Sequence, residues 1–177
     1  MQDPDPRVLA RARAGDAAAF EELVRTYQPD VFRFAWHLTR DRTAAEDVTQ
    51  DAFLRAYRFL GSYRGDSKFS SWLLRITRNC AMDALRRQKS HLMRHEDDRP
   101  RAGSVADPVA RAELDHALRS VSVEHREPFL LIEVFGLSYQ EAADVLGIRV
   151  GTVKSRMHRA RLALCRALAD DEDEEAR

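Results

Sequence analysis

The chain has 177 residues, enough for one domain of ordinary size or two small ones. Its 29 Lys and Arg residues balance 29 Asp and Glu residues, and 44% of the residues are hydrophobic, a fraction typical of a folded soluble protein. No apolar run approaches the roughly 20 residues that a membrane-spanning helix needs, and the N-terminus lacks the apolar segment of a secretion signal, so we expect a cytoplasmic protein without membrane insertion.

The N-terminal half predicts several helices with recognisable start signals. Asp16 can cap a helix, and Pro29 suits the first position of the next one, because its missing N–H would have no helical partner there. Thr43 and Glu46 have the spacing of a capping box, which would open a helix that runs to about Leu60. The stretch GSYRGDS interrupts the pattern with two glycines, and helical periodicity resumes in KFSSWLLRITRNCAMDALRRQ.

A segment of different composition follows. Residues 89–110 contain two prolines, one glycine and many charges but few large apolar side chains, which predicts a flexible linker. Beyond it, periodicity predicts helices at about residues 107–121, 123–135, 139–146 and 150–169. Pro128 lies inside the second of these helices and is expected to bend or fray it.

The predicted fold class is all-α, since runs of alternating apolar and polar residues, which would indicate strands, are absent. We expect two small helical domains, an N-terminal bundle and a C-terminal helix-turn-helix domain, joined by a flexible linker. The expected boundaries are residues 1–92 for the first domain, 93–110 for the linker, 111–170 for the second domain and 171–177 for an acidic tail.

The helix predicted to begin at Thr43 has two distinct sides. An apolar side that includes Val48, Phe53 and Phe59 is expected to lie in the core. The other side carries Asp47, Gln50, Asp51, Leu54 and Tyr57. A Leu among acids and an amide is typical of a protein-docking surface, but a single exposed Leu is also common on ordinary surfaces, so both interpretations remain open.

The stretch YRGDSKFSSWLLRITRNCAMDALRR interleaves aromatic and basic residues. Between residues 64 and 94 there are eight Lys and Arg residues and two acids. Aromatic rings stack on unpaired bases while cations follow the phosphate backbone, so this composition is typical of a single-strand-binding surface. Core packing is the alternative for Phe69 and Trp72, and the sequence leaves that choice open.

The stretch LSYQEAADVLGIRVGTVKSRMHRARLAL predicts a helix-turn-helix. Ser138 and Glu141 have capping-box spacing, and Gly147 supplies the turn. On the second helix an apolar stripe that includes Val153 and Met157 opposes a face of hydrogen-bond donors, which suits the major groove of DNA. A solvated basic helix is the alternative, but such helices usually include acids for intrahelical pairing, and residues 148–168 contain none.

Residues with catalytic or metal-binding chemistry form no recognisable set. Cys80 and Cys165 are far apart in the sequence, which argues against a disulfide framework or a zinc site. His91 and His95 could share a helix face, but no third ligand accompanies them. The motifs of serine hydrolases, zinc proteases and nucleotide-binding loops are absent. We therefore expect no enzymatic activity, no metal and no cofactor.

Two long stretches are similar to one protein family. AEDVTQDAFLRAYRFLGSYRGDSKFSSWLLRITRNCAMDALRR resembles the second conserved region of bacterial extracytoplasmic-function sigma factors, which belong to the sigma-70 family. EHREPFLLIEVFGLSYQEAADVLGIRVGTVKSRMHRARLAL resembles their fourth region. The resemblance implies a dissociable subunit that binds core RNA polymerase and directs it to promoters. Many members are held inactive by an anti-sigma factor, so such a partner is an open expectation.

These patterns and the resemblance together assign residues to three surfaces. Polymerase binding is expected of Asp47, Gln50, Asp51, Leu54 and Tyr57. Contact with the downstream promoter element, as melted non-template strand, is expected of Tyr63, Lys68, Phe69, Ser70, Trp72, Arg75 and Asn79. Contact with the upstream element, as duplex, is expected of Arg149, Thr152, Lys154, Ser155, Arg156, His158 and Arg159.

Two other functions are compatible with parts of the sequence. A stand-alone DNA-binding regulator would use the C-terminal helices in the same way, with an N-terminal half that only dimerises or binds a ligand. A nucleic-acid-modifying enzyme is disfavoured, because no carboxylate cluster or metal-ligand set is visible.

Overall fold

The computed structural model describes residues 1–92 and 117–175, and the regular elements in these ranges are all helical. The chain divides into two compact units, residues 1–103 and 104–177, which confirms the predicted all-α fold with two domains. The predicted linker at residues 93–110, and residues 107–116 of the helix expected there, lie outside the described ranges. No helix in the described ranges has the length and apolar character to cross a membrane.

The first helix, α1 (Pro6–Arg13), is one that the sequence analysis does not predict. Its start signal is nevertheless local: the Asp5 carboxylate accepts the Arg7 N–H at 2.7 Å, and Pro6 occupies the first turn. Eight residues are too few for hydrophobic periodicity to show, so only this cap could have revealed the helix.

Helix α2 (Ala17–Thr39) begins where Asp16 predicts, because the Asp16 carboxylate accepts the N–H groups of Ala18 and Ala19. The prediction that a new helix begins at Pro29 is wrong, since α2 continues through it. Pro29 itself is exposed, while Tyr27 and Val31 on either side of it are buried and pack the helix against its neighbours.

Helix α3 (Arg42–Phe59) starts slightly earlier than predicted. Asp41 caps it, with the Asp41 carboxylate accepting the Ala44 N–H at 2.7 Å, so the capping box at Thr43 and Glu46 is wrong. Glu46 instead pairs with Arg42, at 2.9 Å between Oε1 and Nε. An Asp directly ahead of the helix accepts a first-turn N–H, so the helix begins two residues earlier than a cap at Thr43 would allow.

A 3₁₀ turn (Leu60–Ser62) and a loop separate α3 from α4 (Phe69–Leu92), which confirms the predicted break at GSYRGDS. Helices α2, α3 and α4 pack against one another, and α1 packs on α2. The largest side chains of this core that are 2% exposed or less are Val31, Phe34, Leu38, Leu60, Phe69, Leu73 and Leu74.

In the C-terminal unit, residues 117–120 are helical and α5 (Val123–Phe129) follows. The predicted helix at 123–135 is interrupted: residues Leu130–Val134 form a π-helical turn in which the Phe135 N–H donates to the Leu130 carbonyl at 3.0 Å. Pro128 has no N–H to donate, so the regular ladder is already broken one turn earlier, as expected from the sequence.

Helix α6 (Tyr139–Leu146) has the predicted capping box, with Ser138 and Glu141 exchanging hydrogen bonds of 2.7 and 3.2 Å. Gly147 ends it in the left-handed conformation, at φ 66°, which favours glycine. Helix α7 (Val150–Glu175) packs on α5 and α6. It extends past the predicted end at residue 169, and the segment predicted as an acidic tail is helical as far as Glu175, because residues 165–175 contain no glycine or proline.

Candidate functional site

The outward side of α3 exposes large apolar side chains beside carboxylates. Leu54 and Tyr57 are each 51% exposed, and Asp47 and Gln50 are exposed next to them, while Asp51 is half-buried. We call these five residues the α3 face. The structure therefore brings together all five residues that the sequence analysis assigned to polymerase binding.

An apolar groove of about 420 Å³ runs beside the α3 face, between α2 and α3. Helix α2 contributes Phe20, Val24 and Phe32 to its lining, and the rings of Phe20 and Tyr57 meet edge to face with centroids 4.9 Å apart. The α2 side of this groove was not predicted from the sequence. The available signal was a second apolar stripe at positions 20, 24 and 32, offset from the buried stripe that includes Leu23.

An ion-pair network fixes the register of α3 against α4. Arg55 donates to Asp51 at 2.9 Å and to Asp83 on α4 at 3.2 Å. Asp83 also accepts from Arg86 at 3.3 Å. Asp51 is thus partly engaged within the domain. Beneath the network, burial raises the pKa of the Cys80 thiol to about 12, against the opposing effect of Arg55.

The aromatic residues assigned to the downstream element form an inner cluster. Phe69 is 2% exposed and Tyr63 is 7% exposed; the Phe69 ring lies 5.3 Å from that of Tyr27, and the Tyr63 ring lies 5.2 Å from that of Trp72. The choice left open for Phe69 is settled in favour of the core. The interpretation of the Phe69 and Tyr63 rings as surfaces for base stacking is therefore wrong for this conformation.

Ser70 is also buried, and its backbone N–H donates to the Asp3 carboxylate at 3.1 Å, so Ser70 is not presented to a nucleic acid. Asp3 thereby caps α4 from the far end of the chain, and the Tyr27 hydroxyl donates to the Gln2 carbonyl at 2.8 Å beside it. Burial, reinforced by the Asp3 charge, raises the pKa of Tyr63.

Four residues assigned to the downstream element do reach the surface. Lys68, Arg75 and Asn79 are exposed, and Trp72 is half-buried. An aromatic side chain that the sequence analysis placed in the core joins them at the surface: Phe59 is 56% exposed. Phe59 is the last residue of α3, where the neighbouring helices no longer cover the helix surface. Hydrophobic periodicity in the sequence does not show where that cover ends.

Helix α7 has the two-sided character predicted for it. Its inner stripe is buried, with Val153 and Ala160 at 0%, Met157 at 1% and Leu164 at 5% exposure. On the outer side Lys154, Ser155, His158, Arg159 and Leu162 are exposed. At the start of the helix the side chain of Arg149 is exposed and that of Thr152 is half-buried.

Two flanking arginines of α7 are used to hold the helix in place. Arg156, whose side chain is 24% exposed, pairs with Glu124 on α5 at 3.3 Å. Arg161 pairs with Glu133 of the π-helical turn at 2.7 Å. The prediction that Arg156 reaches the upstream element is therefore not supported in this conformation, since the side chain turns towards α5. Among the side chains that the structure describes, no group of three or more His, Cys, Asp and Glu residues could hold a metal ion.

Comparison with known proteins identifies both units. The sequence profile of sigma-70 region 2 matches residues 23–91, and that of sigma-70 region 4 matches residues 111–164. The chain is 39% identical over 165 residues to the ECF RNA polymerase sigma factor SigM of Mycobacterium tuberculosis, covering 93% of this chain and 84% of that protein. This chain belongs to the extracytoplasmic-function sigma factors.

Two further similarities cover nearly the whole sigma factor. The RNA polymerase sigma-H factor of Pseudomonas aeruginosa is 34% identical over 190 residues, covering 94% of this chain and 95% of that protein. The sigma factor RpoE from Bartonella quintana, solved in complex with the anti-sigma factor NepR, matches with a TM-score of 0.78 and 27% identity over 85% of this chain and 96% of that chain. As a sigma factor, the chain directs RNA polymerase to promoters.

Proposed function

We propose that this sigma factor divides its work among three surfaces, and that the α3 face with its groove binds core RNA polymerase. Leu54 and Tyr57 are half-exposed to water, which is unfavourable for apolar side chains in the free protein. Burying them in a complex contributes about 25 cal/mol to the binding free energy per Å² of apolar area. A helical element with apolar side chains to fill the groove and basic side chains to meet Asp47 would satisfy both features.

The outer face of α7 is proposed to read the upstream promoter element in duplex form. Lys154, His158 and Arg159 are exposed donors on a helix whose opposite stripe is buried, so the helix is anchored with these donors presented to solvent. Base edges in the major groove accept hydrogen bonds from such side chains. This contrast between an anchored stripe and a donor face is the observation that carries the proposal.

The exposed part of the α4 surface is proposed to bind the downstream element as melted single strand. Lys68 and Arg75 supply positive charge for the phosphates, and Asn79 supplies an amide that can pair with a base edge. In this arrangement Tyr63, Phe69 and Ser70 support the surface from beneath, because they are buried.

An anti-sigma factor is proposed as a further partner. The support is the similarity to the Bartonella quintana sigma factor that was solved with its anti-sigma factor bound. An inhibitor that covered the groove between α2 and α3 would exclude polymerase, so the two partners are expected to compete for the purified chain.

Promoter-specific transcription by purified core polymerase, with and without the chain, tests the proposal as a whole. Specific initiation that depends on the chain is expected. If the chain binds promoter duplex tightly by itself but adds nothing to initiation, it acts as a stand-alone regulator instead.

The upstream surface is tested by Arg159→Ala. Loss of one good base contact is expected to weaken binding to the upstream element by about 1–3 kcal/mol. Arg119→Ala removes the same charge from another exposed position of the C-terminal unit and serves as the matched control. If the two variants lose affinity equally and keep the same sequence preference, Arg159 contributes only general charge.

A further inference from the structure

Arg156 and Arg161 lie on opposite flanks of α7, and each pairs with a carboxylate outside that helix. At about 100° per residue, Arg156 falls about 60° to one side of buried Val153, and Arg161 falls about 80° to the other side. Arg156 pairs with Glu124 on α5, and Arg161 pairs with Glu133 of the π-helical turn. Both arginines therefore lie between the buried stripe and the outer face of donors.

The flanks of a helix in the major groove lie beside the phosphate backbones of the duplex. The groove is about 12 Å wide, which is close to the diameter of a helix with its side chains. Arg156 directly follows Ser155 and precedes His158 by two residues, so it lies at the same level along α7 as the donors proposed to read the element. The Glu124 carboxylate thus meets Arg156 on a flank where a phosphate would approach the docked helix.

The two ion pairs differ in quality. The Arg156 Nη2 atom lies 3.3 Å from Glu124 Oε2, longer than the about 2.7–2.9 Å of a good charge-assisted hydrogen bond, and the Glu124 side chain is 60% exposed. Exposed ion pairs of this kind stabilise a fold only weakly. Arg161 lies 2.7 Å from Glu133, and this hydrogen bond, with Tyr139 beside it, raises the pKa of Arg161. Arg156 is therefore the arginine whose partner is more easily replaced.

We propose that Arg156 exchanges the Glu124 carboxylate for a backbone phosphate when α7 docks on promoter duplex. The inference rests on the proposed reading of the upstream element by α7. A cation that reaches a duplex phosphate releases condensed counterions, and this release favours the exchange over a weak internal pair. Glu124 is left without Arg156 and close to an anionic backbone, so its charge opposes binding.

The exchange makes Glu124 a positioning residue that acts through Arg156. In the free chain Glu124 holds the guanidinium against α5, and on DNA it subtracts from the affinity that Arg156 supplies. Phosphate contacts carry no sequence information, so this cost is the same on correct and incorrect sequences. Stable binding then requires base contacts, such as the one proposed for Arg159, which random duplex does not offer.

The test measures binding of the purified full chain to two short fluorescein-labelled duplexes by anisotropy at several salt concentrations. The wild-type chain selects one duplex from a randomised pool, and the other duplex is a scrambled version of it. Arg156→Gln is expected to weaken binding to both duplexes and to reduce the slope of log K against log salt by about one, as loss of one phosphate contact does. Glu124→Gln is expected to strengthen binding to both duplexes by about 2- to 5-fold.

A double-mutant cycle separates the exchange from a general effect of charge. In an Arg156→Gln background only the general loss of negative charge remains, so Glu124→Gln is expected to give little gain there. Glu133→Gln removes an equal charge from the partner of Arg161 and is the matched control, with a smaller expected gain than Glu124→Gln. This comparison still decides the question if Arg156→Gln unfolds the C-terminal unit, because Glu124 and Glu133 are both exposed.

Several outcomes would overturn the proposal. An unchanged salt slope in Arg156→Gln would show that Arg156 stays with Glu124 on DNA. Equal gains from Glu124→Gln in both backgrounds, or equal gains from Glu124→Gln and Glu133→Gln, would reduce the effect to general charge.

Arg159→Ala separates failure of this inference from failure of the proposed function. If Arg159→Ala weakens binding to the selected duplex while Arg156→Gln leaves the salt slope unchanged, only the exchange is wrong. If neither variant changes binding, α7 does not read the upstream element.

Discussion

Replacing Asp3 with Ala removes the side-chain acceptor at the start of α4. The Ser70 N–H loses a partner 3.1 Å away, and Ser70 is a buried residue, so water replaces that partner poorly. Loss of a helix cap costs about 0.5–2 kcal/mol. In a domain of about 90 residues, 1 kcal/mol corresponds to a shift of about 4–8 °C in melting temperature. We therefore expect Asp3→Ala to lower the melting temperature of the N-terminal unit by several degrees.

Tryptophan fluorescence isolates this effect, because Trp36 and Trp72, the chain's two tryptophans, both lie in the N-terminal unit. Asp66→Ala removes an equal charge from an exposed loop position of the same unit and is the control. Asp3→Asn keeps a side-chain oxygen and is expected to fall between the two. If Asp3→Ala melts together with Asp66→Ala, the N-terminal segment does not cap α4.

Three other changes test separate parts of the structure. Leu54→Asp is expected to reduce binding to core polymerase without moving the fluorescence-detected midpoint, because Leu54 is half-exposed; normal co-purification with polymerase would contradict the assignment of the α3 face. Iodoacetamide at neutral pH is expected to label exposed Cys165 but not Cys80, whose pKa burial raises to about 12; equal labelling in peptide mass spectra would show that the N-terminal core opens readily. Gly147→Ala is expected to destabilise the C-terminal unit by about 1–2 kcal/mol, since the position requires positive φ, and chemical denaturation followed by circular dichroism measures this. Unchanged stability would mean that α6 ends in another conformation.

Features fixed by neighbouring residues were predictable from the sequence. The capping box at Ser138 and Glu141, the turn at Gly147 and the buried stripe of α7 each depend on side chains within a few positions, and the structure confirms all three. The interruption after Pro128 is likewise local, because proline lacks the N–H that the helix needs.

Features decided by tertiary packing were not predictable in this way. Pro29 reads as a helix start, but the packing of α2 against α3 and α4 carries the helix through it. Phe59 falls on the apolar side of α3, yet it lies where the neighbouring helices no longer cover that side. In the sequence Arg156 resembles the other cations of α7. In the structure it pairs with Glu124, 32 positions away.

The uninterrupted course of α7 has a mechanical consequence for the acidic sequence at its end. Glu175 lies sixteen residues after Arg159, one of the donors proposed to read the upstream element, so at 1.5 Å per residue the two backbone positions are about 24 Å apart along the helix. As long as that helix stays unbroken, its last turn cannot fold back over the face that is proposed to read the upstream element.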